Sequence, residues 1–271
     1  MELYPANMEK QKIKINLYFT SKHVDSTLDL KDKNVVVVDV LRTSTSMVVG
    51  LTNGAKEIIP TEDVATAGLI GRNSEGQSLL CGERNGKLIP GFNLGNSIKE
   101  YIPEIVNGKT LIFSSTNGTP ALMKSKFARN CVVLGFANMS RVVDYFIALN
   151  EDFNILCAGR SNEFSLEDTV CGGMLIELLT RKNNAVEYVL TDSALGASRL
   201  YTAYKKDLLK MLHDSEHGKY LCEIGFGEDL DECAKVDVSN ALPVLRSGVI
   251  KLLESFEHDP KLTMKRVAKS S

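Results

Sequence analysis

The sequence has 271 residues, of which 44% are hydrophobic and 24% are charged, with a formal net charge of -2. This balance is typical of a globular protein with a buried core, and the length suits one large α/β domain or two smaller ones. Nucleic-acid binding is not expected, because it requires a basic surface. No run approaches the ~18 apolar residues of a membrane span, and residues 1–15 lack the apolar stretch of a signal peptide. We therefore expect a cytoplasmic protein without a membrane partner.

The six cysteines, at positions 81, 131, 157, 171, 222 and 233, are scattered and form no CxxC pair. Several lie inside apolar runs. This usage favours reduced thiols in the core of a cytoplasmic protein.

Strand-like and helix-like patterns alternate along the chain. The predicted strands are residues 13–19, 35–40, 56–60, 78–83, 110–115, 131–136, 153–159 and 186–191. Helix-like patterns lie near 44–53, 62–72, 96–107, 118–127, 138–150 and 166–182, then through 192–218 and in 227–236. This alternation, with strands that are almost entirely apolar, predicts an α/β fold with a mostly parallel or mixed sheet and helices on both faces.

One segment has an echo later in the chain. NVVVVDVLRTSTSMVVG (34–50) and FNILCAGRSNEFSLEDTVCGGMLIELL (153–179) both run from an apolar strand through an arginine into a helix opened by Ser or Thr. The echo suggests two similar α/β halves, residues 1–150 and 151–271, that share a cleft. One continuous domain over 1–271 remains the alternative.

Polar residues follow four of the predicted strands, at the carboxyl ends where open α/β sheets bind ligands. They are Asp39, Arg42, Thr43, Ser44, Thr45 and Ser46; Glu83, Arg84 and Lys87; residues 114–119 (SSTNGT); and Arg160, Ser165, Glu167 and Asp168. Hydroxyls and glycines at helix N-termini favour an anion, and Gly118 would let the backbone approach a phosphate closely. We therefore expect a phosphate site at this edge of the sheet.

Arginines and carboxylates occur together at these strand ends. Arg42, Arg84 and Arg160 can each make a bidentate contact with phosphate, sulfonate or carboxylate. Carboxylates would repel such a ligand unless a divalent cation lay between them. Mg²⁺ binds one or two carboxylates together with phosphate oxygens and water. The candidate metal ligands are Asp39, Glu83, Glu167 and Asp168.

Each cluster also has a purely structural interpretation. Asp39 could cap the following helix or pair with Arg42, and one of the hydroxyls of 43–46 is expected to be an N-cap. Residues 114–119 could form a tight turn, and 82–87 (GERNGK) a hairpin loop. Ser165 with Asp168 fits a capping box. The four histidines, at 23, 213, 217 and 258, lie away from the strand ends and are expected on the surface.

Common phosphate-handling signatures are absent. The sequence has no GxxxxGK[ST] loop, C-x5-R loop, DxD pair after the second strand, GxSxG or HExxH. A common kinase or phosphatase mechanism is therefore not expected.

Four motifs resemble those of the 2-phosphosulfolactate phosphatase family. They are DVLRTST (39–45), GERNGKLIPGFNLGNS (82–97), SSTNGT (114–119) and CAGRSNEFSLEDTVCGG (157–173), and the likeness covers nearly the whole chain in the same order. The resemblance implies an α/β phosphatase that uses Mg²⁺ to convert 2-phosphosulfolactate to 3-sulfolactate and phosphate, a step of coenzyme M synthesis in methanogens. The implied substrate-binding residues are Arg42, Thr43, Ser44, Thr45, Arg84, Ser115, Thr116, Asn117, Gly118, Thr119 and Arg160.

The expected catalytic residues are Asp39, Arg42 and Asp168. In one mechanism Mg²⁺ is held by Asp39 and either Glu83 or Asp168, and in the other Asp39 attacks the phosphate directly. A phosphatase of another small phosphorylated acid and a non-catalytic binder of phosphorylated or sulfonated metabolites are the alternative functions. The oligomeric state, including a homo-oligomer, is left open by the sequence.

Overall fold

A computed structural model describes residues 10–74 and 76–253 of the chain. The described strands are β1 (Gln11–Tyr18), β2 (Asn34–Val38), β3 (Glu57–Pro60), β4 (Ser78–Arg84), β5 (Lys87–Leu88), β6 (Thr110–Ser114), β7 (Asn130–Leu134), β8 (Phe153–Cys157), β9 (Val186–Leu190), β10 (Pro243–Arg246) and β11 (Val249–Leu252). The described helices are α1 (Thr43–Thr52), α2 (Val64–Arg72), α3 (Pro103–Val106), α4 (Gly118–Lys124), α5 (Met139–Leu149), α6 (Leu166–Lys182), α7 (Asp192–Tyr204), α8 (Leu208–Asp214), α9 (Glu216–Glu223) and α10 (Glu228–Cys233). Between residues 10 and 253, residue 75 aside, no helix has the length and apolar character needed to cross a bilayer.

All of these strands join one sheet, in the order β5-β4-β6-β3-β11-β10-β7-β2-β8-β1-β9. Strands β4, β6 and β3 form one parallel group, and β7, β2, β8, β1 and β9 form another. The hairpin β10–β11 pairs antiparallel with both groups and joins them. The predicted α/β fold with a mostly parallel, mixed sheet is confirmed.

The sheet is strongly curved. Strands β2 and β6 lie five positions apart in the strand order, which corresponds to roughly 24 Å at the usual strand spacing. Nevertheless the segments that follow them touch, since a Cβ added to Gly118 would lie 2.5 Å from Asp39 Oδ2. Helix α1 is buried over most of its length and shares one hydrophobic core with residues of both parallel groups. The curvature brings distant strand ends to one place.

The two strands of the internal echo are neighbours in this sheet. Strand β2 pairs in parallel with β8, and Val38 lies opposite Cys157 at the carboxyl ends of the two strands. The chain therefore leaves both strands at the same edge and at the same height, which places the loops with Arg42 and Arg160 side by side.

Two regions differ from the sequence-based expectation. The helix predicted over 96–107 is replaced by a 3-10 turn at Ile98–Glu100 and the short α3. Pro103 explains the break, because the residue before a proline avoids helical geometry, and Ile102 is extended with ψ 153°. The hairpin β10–β11 was not predicted, although Ser247 and Gly248 form its turn with positive φ angles.

The cysteine prediction is confirmed for five of the six residues. Cys81, Cys131, Cys157, Cys171 and Cys233 are buried and free, whereas Cys222 is free but exposed.

A buried ion pair connects the C-terminal helices to the first half of the chain. Arg42 Nη1 donates to Asp229 Oδ2 at 2.5 Å, and both side chains are only 2% exposed. Arg42 Nη2 donates to the carbonyl of Gly86 at 2.6 Å, and the guanidinium lies 4.4 Å from the centre of the Phe226 ring. Asp229 Oδ1 also accepts from the Ser97 hydroxyl at 2.7 Å. The pair fixes α10 against the loop that follows β2.

We predict that Asp229→Ala destabilises the fold, because removal of one partner leaves the Arg42 charge buried and unpaired. The free energy of unfolding should fall by about 3–5 kcal/mol, measured by urea denaturation. Asp231→Ala, at an exposed position of the same helix, is the matched control and should change it by less than about 0.5 kcal/mol. Equal effects of the two substitutions would contradict a bracing role for the buried pair.

Candidate active site

A cavity of about 260 Å³ lies at the carboxyl edge of the curved sheet. It is lined by Asp39, Leu41, Arg42, Thr43, Glu83, Asn85, Gly86, Asn96, Thr116, Asn117, Arg160, Ser161, His217 and Tyr220. Residues that follow β2, β4, β6 and β8 therefore meet in one place, together with two residues of α9. Of the residues that the sequence predicts for the site, Asp39, Arg42, Thr43, Glu83, Thr116, Asn117 and Arg160 line this cavity.

Asp39 follows β2 and is 5% exposed. Its Oδ1 accepts the Thr43 N–H at 3.1 Å, so the carboxylate also caps the start of α1. Burial raises the pKa of Asp39 to about 6, and the nearby charge of His217 and the hydrogen bond from Thr43 partly offset that rise. Asp39 is thus a buried carboxylate at the wall of a polar cavity, which is the setting of many functional groups.

Glu83 bridges two loops. Its Oε2 accepts the Gly86 N–H at 2.8 Å within the β4–β5 hairpin, and its Oε1 accepts the Thr116 N–H at 2.7 Å from the segment after β6. Asn85 and Gly86 form the two-residue turn with positive φ angles, as expected for an Asn-Gly hairpin. The hairpin interpretation of 82–87 is confirmed, and the hairpin holds Glu83 at the cavity.

Asp168 bridges two other loops from outside the cavity lining. Its Oδ1 accepts the Val40 N–H at 2.8 Å, and its Oδ2 accepts the Gly159 N–H at 3.1 Å. Burial, with the adjacent carboxylates of Glu167 and Asp39, raises the pKa of Asp168 well above its ordinary value. The carboxylate therefore ties the β2 and β8 loops together. Its predicted metal-binding and catalytic roles have no support from the cavity lining.

The hydroxyls after β2 mostly close the turn into α1. Ser44 Oγ accepts the Asp39 N–H at 2.9 Å, and Thr45 Oγ1 donates to the Val40 carbonyl at 2.8 Å. Ser46 Oγ donates to the carbonyls of Arg42 and Asn96. Only Thr43 of this group reaches the cavity. The structural interpretation therefore applies to Ser44, Thr45 and Ser46.

The segment after β6 is held by a reciprocal pair. Ser115 Oγ accepts the Thr119 N–H at 3.0 Å, and Thr119 Oγ1 accepts the Ser115 N–H at 2.9 Å. Asn117 Oδ1 accepts the Ser161 N–H at 3.1 Å and so joins this segment to the β8 loop. The pair shapes the start of α4, while Thr116 and Asn117 face the cavity.

The three predicted arginines differ in their availability to a ligand. Arg42 is held by Asp229 and Gly86, whereas Arg84 donates to the Glu83 carbonyl at 2.7 Å and to Ser114 Oγ at 3.0 Å and does not line the cavity. Arg160 is 30% exposed, and its only ion pair within the described chain is a 3.4 Å contact with the exposed Glu216. Arg160 is therefore the arginine best placed to bind an anion, and our proposed binding set leaves Arg84 out.

His217 is the main functional candidate that the sequence reasoning missed. It lies on α9, its side chain is 16% exposed, and its Nδ1 is 3.3 Å from Oε1 of the buried Glu167. The expectation of a surface histidine was wrong here. His23 and His213 are exposed as predicted, and His258 lies outside the described residues. No motif around residue 217 signals this position, since only the packing of α9 turns it toward the strand ends.

The donor set at the cavity fits a hard divalent cation. Asp39 and Glu83 supply carboxylate oxygens, and the buried Asn96 Oδ1 has no hydrogen-bond partner among the described residues. Residues 10–74 and 76–253 contain no cluster of three or more His, Cys, Asp or Glu side chains that could hold a metal. Mg²⁺ commonly binds through only one or two carboxylates, with substrate and water oxygens as its other ligands.

Two consequences for stability follow from this geometry. First, Asp39→Asn should stabilise the metal-free protein at pH 7. The folded-state pKa of about 6 lies above the ordinary 3.8, so the ionised carboxylate costs stability above pH 6, and that cost fades as the pH falls toward 4. The gain at pH 7 should be up to about 3 kcal/mol, measured by urea unfolding in EDTA. Asp25→Asn, at an exposed position, is the control, and a gain that grows toward low pH would contradict the prediction.

Second, Gly118→Ala should lower the stability of the protein by crowding the site. The new methyl group would lie 2.5 Å from Asp39 Oδ2 and 2.6 Å from Thr43 Cβ, and overpacking of this kind costs about 1–3 kcal/mol. Gly68→Ala in α2 is the matched control, because nothing lies within 4 Å of its added Cβ and alanine favours a helix by about 0.5–1 kcal/mol. Thermal unfolding should show opposite signs for the two variants, and a neutral Gly118→Ala would refute the close contact.

Comparison with known proteins identifies relatives over most of the chain. The family described as 2-phosphosulpholactate phosphatase matches residues 18–248. A protein of Caldanaerobacter subterraneus subsp. tengcongensis named "Probable 2-phosphosulfolactate phosphatase" is 38% identical over 229 residues, covering 84% of this chain and 94% of the relative.

Proteins with the same name occur among the relatives from other organisms. The one from Symbiobacterium thermophilum is 37% identical, and the match covers 83% of this chain and 97% of the relative. The one from Thermotoga maritima is 36% identical, and the match covers 82% of this chain and 93% of the relative. The chain therefore belongs to the 2-phosphosulpholactate phosphatase family, and the predicted enzyme class, a phosphoric monoester hydrolase, is confirmed.

Proposed function

We propose that the protein is a Mg²⁺-dependent phosphatase that hydrolyses 2-phosphosulfolactate to 3-sulfolactate and phosphate. Family membership supports the reaction. The observation in the structure that carries the proposal is the meeting of the buried Asp39 carboxylate and the Arg160 guanidinium in one small cavity. An anion site gains nothing from a buried carboxylate unless that carboxylate takes part in the chemistry or binds a cation.

The substrate has three anionic groups, and the cavity has complementary but limited positive charge. Arg42 is largely neutralised by Asp229 at 2.5 Å, which leaves Arg160 as the most available guanidinium. We assign Arg160 to one anionic group of the substrate, with Thr43, Thr116 and Asn117 as polar contacts for the others. The volume of about 260 Å³ suits a small acid, since sites for drug-sized ligands begin near ~300 Å³.

Asp39 and Glu83 are the proposed protein ligands of Mg²⁺. When bound, the ion would neutralise phosphate oxygens and stabilise the charge that develops during phosphoryl transfer. Glu83 could bind Mg²⁺ even though it accepts two backbone hydrogen bonds, because each bond uses only one of the two lone pairs on its oxygen. Arg42, fixed in orientation by its partners, would support the charge of the transferring group through its remaining N–H groups.

Asp39 has a second proposed role as the nucleophile. Its carboxylate would then attack phosphorus, displace the alkoxide and form an aspartyl phosphate that water hydrolyses. Rapid quenching of an active reaction, followed by mass spectrometry of the peptide that contains Asp39, separates this route from direct attack by water.

We predict Mg²⁺-dependent release of phosphate from 2-phosphosulfolactate by the purified protein. EDTA should abolish the activity and Mg²⁺ should restore it. Asp39→Asn should lower kcat/KM on the order of 10⁴-fold, as for other central catalytic groups, whereas Asp25→Asn should leave it unchanged. An Asp39→Asn protein that keeps most of its activity would refute both roles of this residue.

A substrate panel decides between the proposed substrate and its alternatives. Comparison of 2-phosphosulfolactate with phosphoglycolate and 2-phospholactate tests whether the site recognises the sulfonate group. A higher kcat/KM for either acid without the sulfonate would favour a phosphatase of another small acid. Tight binding of these ligands without turnover in the presence of Mg²⁺ would favour a non-catalytic binder.

A further inference from the structure

His217 lies in the active cavity without a role in the scheme above. The imidazole has one nitrogen, Nδ1, at 3.3 Å from Glu167 Oε1, and Glu167 is only 3% exposed. The structure records no partner for the other nitrogen, Nε2, among the described residues. His217 lines the same cavity as Asp39, and its charge influences that carboxylate, so the two groups lie near each other.

The helices that carry this pair fix its geometry. Glu167 stands in the first turn of α6, directly after the β8 loop, where the Ser165 hydroxyl caps the helix through the Asp168 N–H at 3.2 Å. His217 stands in the first turn of α9, where Ser215 accepts the Gly218 N–H at 2.9 Å. Both side chains project from capped helix starts, so the backbone positions from which they meet are fixed. A carboxylate on Nδ1 orients the ring and leaves Nε2 for chemistry.

The proposed reaction requires a proton at the leaving oxygen. Cleavage of the bond between phosphorus and the ester oxygen leaves an electron pair on the C2 oxygen of sulfolactate. An alkoxide of this kind is a poor leaving group unless it is protonated as the bond breaks. General acid catalysis of such a step contributes typically 10²–10⁴-fold.

We propose that His217 is the catalytic acid that protonates the leaving oxygen, and that Glu167 is the positioning residue that holds its imidazole. This inference rests on the proposed function and names a residue for its reaction. Nε2–H donates its proton to the ester oxygen while the P–O bond breaks and a new P–O bond forms to the nucleophile. The proton released by the attacking water returns the imidazole to its starting state, so atoms and charge balance over one turnover.

The test changes the leaving atom and keeps the connectivity and the anionic groups of the substrate. In the phosphorothiolate analogue, sulfur replaces the bridging oxygen, and the departing thiolate needs no proton. His217→Gln should lower kcat on 2-phosphosulfolactate by about 10²–10⁴-fold and leave kcat on the sulfur analogue within about fivefold of the wild type. KM for both substrates should change little.

Two further variants complete the experiment. Glu167→Gln should show a smaller loss with the same selectivity for the oxygen ester, since it loosens the imidazole without removing it. His213→Gln, at an exposed histidine outside the cavity, should match the wild type on both substrates.

The outcomes separate this inference from the function on which it rests. A wild type that cleaves neither substrate overturns the proposed function. A wild type that cleaves both, with His217→Gln equally impaired on each, overturns the acid role and indicates a base or a structural residue. Unchanged activity of His217→Gln on the oxygen ester overturns it as well.

Discussion

The site depends on buried carboxylates that each bridge backbone N–H groups from separate segments. Strand ends that are covered by other parts of the chain leave N–H groups with neither a strand partner nor water, and such groups must be satisfied. Glu83 satisfies Gly86 and Thr116, and Asp168 satisfies Val40 and Gly159. Each carboxylate thereby joins two loops, and the hydrogen bond from the Ser161 N–H to Asn117 Oδ1 joins one pair of loops to the other.

This arrangement places function and stability in opposition. Burial raises the pKa of both Asp39 and Asp168. Asp168 accepts two backbone hydrogen bonds in return for its burial, whereas Asp39 accepts only one. The apolar core around α1 contributes stability instead, and the buried pair of Arg42 with Asp229 holds α10 against the loop that follows β2. A functional group that is buried at a cost in stability is characteristic of active sites.

Much of the fold could be predicted, because continuous apolar runs such as 35–38 and 131–134 allow few interpretations other than buried parallel strands. The common location of the strand-end motifs could also be predicted from the sequence, since parallel strands that end at one edge bring their loops together. The roles of individual side chains could not be predicted. Arg42 and Asp229 are 187 residues apart, and nothing local to Arg42 reveals a buried partner that removes much of its capacity to bind an anion.

His217 illustrates the same limit. The residues around it predict a helix with a polar face, but not what that face meets once the C-terminal helices pack over the sheet. The sequence likewise gives Asn96 no role of its own, although it lies at the cavity with a buried side-chain oxygen, Oδ1, that lacks a partner among the described residues. Both residues reach the site through tertiary packing, which periodicity and motif spacing do not encode.

A crystal structure with Mg²⁺ and 3-sulfolactate bound tests the central claim most directly. The product should occupy the cavity between Arg160 and His217, with the ion bound to Asp39 and Glu83. A product bound away from these loops would contradict the view that the curved sheet builds one catalytic cavity from four strand ends, and an ion held instead by Glu167 or Asp168 would contradict the proposed metal ligands.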